Sequence, residues 1–121
     1  MGVYVSVRGW LECNDEQLVR VREIIAAHDD NFYNGGWAFP TKPFSWTSYV
    51  FYGGDLRDHE AHWLLDELQE IAGIPPSDED GGDVRGFFLA SHEIEGSTEW
   101  RLREGKLLVF PAGERFRYLD E

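Results

Sequence analysis

Hydrophobic and polar residues alternate with two different periods along this chain, and the switches between them mark its elements. Val3, Val5, Val7 and Leu11 share one face of an extended run, with Gly9 among them; Tyr4, Ser6, Arg8, Trp10 and Glu12 share the other. A period of two predicts a half-buried strand with an aliphatic inner face. From Asn14 the period lengthens. Leu18, Val21, Ile25 and His28, with Ile24 beside them, form the stripe of an amphipathic helix. Asn14 and Gln17 stand at the spacing of a capping box, and Cys13 and Leu18 at that of a hydrophobic staple. Asp29 and Asp30 oppose the dipole at a helix C-terminus, so this helix should stop near Ala27 or His28.

Asn34-Gly35-Gly36 is a turn signal, and Trp37–Phe39 is a brief extended segment. It is expected to form a hairpin with part of Ser45–Tyr52. The stretch Phe44–Gly54 is the densest aromatic, β-favouring run of the chain. Trp46, Ser48, Val50 and Tyr52 fall on one face, and Thr47, Tyr49 and Phe51 on the other. Bulk on both faces predicts an internal strand, and Gly53-Gly54 is expected to turn the chain at its end. A second helix follows, from about Asp58 to Ala72, with Ala61, Leu64, Leu65, Leu68, Ile71 and Ala72 as its buried stripe. Gly73 caps it and Pro75-Pro76 forbid continuation. On this reading Asp66, Glu67 and Glu70 face away from the stripe or flank it, and Trp63 lies off it, partly covered.

The last third reads as a meander. Phe87 and Leu89 oppose Phe88, Ala90 and Ile94 in one strand; Thr98, Trp100 and Leu102 alternate with charged residues in the next. Glu95-Gly96 and Glu104-Gly105 are turns, and Pro111 ends the pairing. Arg115–Tyr118 is a basic, aromatic tail that packs back on the sheet or frays. The order of elements predicts one α+β domain over residues 1–121. Its first six elements, β-α-β-β-α-β, have the order of a ferredoxin-like plait, and two further strands extend a mainly antiparallel sheet. Right-handed crossovers place both helices on one face. Tyr4, Trp10 and some of Trp46, Tyr52 and Trp100 are then candidates to line the other.

Candidate chemistry is thin. His59 and His62, three apart at the start of the second helix, could form one edge of a metal site, but no third ligand is assigned and H-E-x-x-H is absent. Ser91 and His92 are strand neighbours on opposite faces, so they do not pair as nucleophile and base. The segment Ser77–Asp83 fails the calcium-loop pattern: from Asp78, Gly81 and Gly82 fall too early and Leu89 takes the twelfth position. No glycine pair continues as a phosphate loop. Arg85-Gly86-Phe87-Phe88 is only a fragment of an RNA-binding strand. The reading is a protein without catalytic residues or cofactor.

Charge sharpens that reading. Asp and Glu number 23 against 11 Lys and Arg, a formal net charge of −12. Such a field disfavours nucleic acid and speeds association with a basic partner. No apolar run approaches a membrane span, the N-terminus does not read as a signal peptide, and the single Cys13 forms no internal disulfide, so a cytoplasmic protein is expected. With GWLEC, GGWAFP and HEIEGSTEW, the chain resembles bacterial immunity proteins of contact-dependent and other polymorphic toxin systems in size and charge. The resemblance implies a monomer that occludes a cognate basic toxin domain, of nuclease type, in a heterodimer. The residues expected to carry it are Asp66, Glu67 and Glu70 on the second helix, Asp78, Glu79 and Asp80 in the acidic loop, and Trp63 as anchor. The alternatives are a phage- or mobile-element-encoded inhibitor that mimics nucleic-acid charge, and a small enzyme using histidine and carboxylates.

Overall fold

The computed structural model describes residues 2–41, 46–76 and 82–120. The elements run β1 (Tyr4–Cys13), α1 (Asp15–Ala27), β2 (Trp37–Ala38), β3 (Ser48–Arg57), α2 (Ala61–Ala72), β4 (Arg85–His92), β5 (Gly96–Arg103) and β6 (Lys106–Pro111). Short 3₁₀ segments cover Phe32–Gly36, Asp58–Glu60 and Glu114–Asp120. The fold is α+β, with an open six-stranded sheet in the order β2-β3-β1-β4-β5-β6. Every neighbouring pair is antiparallel.

The pleat divides the sheet as the period of two requires. Val5, Val7 and Leu11 of β1, Val50, Tyr52 and Leu56 of β3, Phe88 and Ala90 of β4, and Trp100 and Leu102 of β5 are buried in one cluster with Val21, Ile24, Ile25, Leu64, Leu68 and Ile71 of the helices. Both helices therefore cover one face. Gly9 lets β1 pass under the ring of Phe88: a Cβ there would lie 2.6 Å from Phe88 Cα and 2.7 Å from Phe88 Cδ1. The capping box forms as spaced, with Asn14 Oδ1 accepting from the Gln17 N–H at 2.8 Å and Gln17 Oε1 accepting from the Asn14 N–H at 3.0 Å. Gln17 Nε2 also donates to the Gly82 carbonyl at 2.8 Å, fixing the approach to β4.

Two expectations change. Gly53-Gly54 does not turn the chain; β3 continues to Arg57, with Gly54 opposite Val7 and Gly53 opposite Arg8. A ladder on β1 holds the pair extended, and Gly54 leaves space that the Tyr52 hydroxyl approaches to 3.1 Å of where a Cβ would be. Tyr52 and Trp100 lie on the helix face and are buried, while Trp46 precedes the strand at 92% exposure. The face opposite the helices is instead lined by Tyr4 and Trp10 with Tyr49, Phe51, Phe87 and Phe110, as the register of β1 with β3 and β4 dictates. Gly73 ends α2 at φ −79°, so the stop owes nothing to left-handed backbone; Pro75-Pro76 set it.

Candidate functional site

Of the expected partner-binding residues, the described ones, Trp63, Asp66, Glu67 and Glu70, are not all presented on one surface. Asp66 and Glu70 are exposed one turn apart on α2. Glu70 Oε1 lies 3.4 Å from His28 Nε2, which ties α2 to the end of α1. Asp78, Glu79 and Asp80 lie outside the described residues. Trp63 is half-buried against the core and edge-on to His28 at 6.4 Å between ring centroids, which leaves it a poor exposed anchor.

Glu67 is a correction. It is not on the acidic surface; it is completely buried. Position 67 is three residues after Leu64 and four before Ile71, so it falls on the stripe that faces the sheet. Burial raises its carboxyl to about 8, the Trp37 indole N–H pulls the other way, and the Glu70 charge adds to the rise. Among the described residues neither Glu67 oxygen closes a hydrogen bond, and the buried indole N–H of Trp37 closes none either. Tyr52, whose hydroxyl donates to the Tyr33 carbonyl at 2.9 Å, is pushed up by burial first and then by Glu67 and Tyr33. With its carboxyl raised to about 8, Glu67 is held mostly protonated at pH 7 and adds little to a field outside.

The histidines also resolve. His92 Nδ1 accepts the backbone N–H groups of Ile94 and Glu95 at 3.1 and 3.0 Å. That places its proton on Nε2, 3.2 Å from Asp58 Oδ1. With both ring nitrogens engaged, His92 pins the β4–β5 turn to the start of α2. Ser91 points to the other face, as expected, toward Arg8 and Ser97. His59 pairs with its neighbour Glu60 at 3.5 Å and His62 is exposed. Among the described residues no three His, Cys, Asp or Glu side chains gather as metal ligands.

Two surfaces remain, and they differ in charge. The helix layer exposes Asp15, Glu16, Glu23, Asp29 and Asp30 beside Asp66 and Glu70, with only Arg20 and Arg22 as cations on α1. Arg20 is paired to Glu23. The basic residues of the sheet lie opposite: Arg8, Arg57, Arg85 and Arg101 share the face away from the helices with the acids Glu12, Asp55 and Glu99, and Arg103 and Lys106 flank the β5–β6 turn. Arg115 and Arg117 lie in the C-terminal segment. That segment crosses this face. Phe116 packs on Phe87 at 5.6 Å, Arg115 reaches buried Glu99 at 3.8 Å, and Arg8 donates to the Leu119 carbonyl at 3.3 Å.

A cleft of about 440 Å³ opens between the sheet and the C-terminal segment. Trp10, Phe51, Phe87 and Leu89 floor it, and Phe116 and Leu119 wall it. The sequence places Phe51 on one of two bulky strand faces, and Phe87 with Leu89 on one side of another strand, without joining them in a site. The alternation of β4 and the aromatic tail were visible, but their meeting depends on register. No family model matches the chain, and comparison with curated proteins and with solved structures gave no match. No helix among the described residues is long and apolar enough to cross a membrane.

Proposed function

We propose that the chain is a non-catalytic, acidic binding protein that neutralises a basic partner by direct occlusion, an immunity protein set against a nuclease-type toxin domain in the cytoplasm. One observation carries this reading: on the helix layer the exposed acids Asp15, Glu16, Glu23, Asp29, Asp30, Asp66 and Glu70 stand against only Arg20 and Arg22, whereas on the sheet face arginines and acids mix. An excess of acid on one layer orients an approaching basic domain. Asp66 and Glu70, with Asp29 and Asp30 at the end of α1, form the core of that surface. The engaged nitrogens of His92 and the exposed, separate His59 and His62 favour binding over catalysis. We read the fold as a ferredoxin-like plait, because β1 to β4 lie in the order β2-β3-β1-β4 with both helices on one face; β5 and β6 extend it.

The test is co-purification of the tagged chain from its own host at low and high salt, with mass spectrometry of what is retained. A single stoichiometric basic protein whose association slows as salt rises supports the reading. Retention of no partner at either salt overturns it.

A further inference from the structure

We propose that the cleft between the sheet and the C-terminal segment is a binding site for an amphipathic organic anion: a flat, apolar body held among the rings, with its carboxylate on Arg8. This site stands on the face opposite the acidic helix layer and does not depend on the partner proposed above.

The volume, about 440 Å³, is that of small-ligand sites, which are mostly apolar with a few placed polar groups. Trp10, Phe51 and Phe87 provide flat surfaces. Trp10 and Phe87 are already inclined to each other at 44° with centroids 5.5 Å apart. The strand pairing of Trp10 with both Phe51 and Phe87 fixes all three on rigid backbone.

Arg8 is the charged residue of the lining, and its geometry selects an anion. Its Nη2 donates to Ser91 Oγ and to the Leu119 carbonyl, both at 3.3 Å. These are neutral acceptors, and both bonds use one nitrogen. Among the described residues Nε and Nη1 make no bond, and Arg8 makes no ion pair. Both two-donor edges of a guanidinium include Nη2, so an incoming carboxylate would meet Arg8 through a single charge-assisted bond to Nε or to Nη1. Arg101 and Arg115 share Glu99 and Arg103 pairs with Glu104, so those cations already meet carboxylates of the chain. A cation held by neutral oxygens at an apolar cleft, in a chain so rich in acids, is complementary to a charge brought from outside. The Leu119 bond also ties the cleft wall to the same guanidinium, so ligand and wall meet at one side chain.

The experiment titrates the intact protein with naphthalene-2-carboxylate and, separately, with the neutral isostere 2-naphthamide, following backbone and indole N–H signals by NMR. The carboxylate is expected to shift Trp10, Phe87 and Leu119, and to bind at least about tenfold more tightly than the amide. Arg8→Gln, with an unchanged melting temperature, is expected to remove that difference, and Arg8→Lys to restore part of it. Equal affinities for acid and amide would overturn the proposal. So would shifts mapping to the helix face, or no shift from either compound.

Discussion

Glu67 shows how a single side chain changes meaning when it is placed. An acid whose folded pKa is raised holds its proton more tightly in the native state than in the unfolded chain. Its contribution is therefore fully present below the unfolded value of 4.5, falls as pH rises from there to about 8, and is flat above. The slope over that window is about 1.4 kcal/mol per pH unit. Glu67→Gln should remove it, so the variant gains on the wild type as pH rises. Denaturant unfolding of both proteins at several pH values measures this. A stability difference constant across the window would mean that Glu67 is not a buried neutral acid. Gly9 carries a purely steric constraint. Gly9→Ala forces a methyl against Phe88 Cα and ring, and should cost about 1–3 kcal/mol through displaced backbone. An unchanged denaturation midpoint would show that β1 and β4 yield there.

At the scale of elements, local chemistry and long-range pairing contribute unequally. Helix α1 begins where its cap says, because both bonds of the box satisfy N–H groups that the helix itself leaves open. Asn14→Ala should cost about 1 kcal/mol. The loss should appear in chemical denaturation and as earlier hydrogen exchange in the first turn of α1. The Glu104-Gly105 turn is also local: φ is 54° and 74° at its two residues, the twist that a two-residue hairpin needs. β3 is the contrary case. Its glycine pair favours a turn in isolation, yet it is held in the ladder with Val7 and Arg8 of β1 and runs straight through. The C-terminal segment has no strand or α-helix to sustain it and is held by its contacts across the sheet, Phe116 on Phe87 and Leu119 on Arg8.

For the whole molecule, the consequence is a helix layer with an excess of exposed acids and a sheet face on which both signs mix. If the helix layer docks a basic domain, Asp66→Lys with Glu70→Lys should slow association with the co-purified partner by about tenfold or more at low salt. The effect should shrink as salt rises. Glu67→Gln should leave association unchanged, because that carboxyl is mostly protonated and enclosed. Association kinetics of the three proteins at two ionic strengths decide it. Undiminished association of the doubly reversed chain would move the docking surface off α2.

The sequence by itself determined the elements and which residues alternate toward a core. Hydrophobic period, capping spacing and proline placement act within a few residues, and each has one dominant solution. It also determined the net charge and the lack of a motif for metal or nucleotide. Only the tertiary structure decided the rest. Glu67 lies inside because α2 rotates its 64–67–71 edge onto the sheet, whatever the residue type. Tyr52 and Trp100 are core, and Phe51 and Phe87 are cleft, because strand register assigns faces across neighbours far apart in the chain. The cleft under the C-terminal segment exists only once β1 has brought β3 and β4 to either side of Arg8 and Trp10.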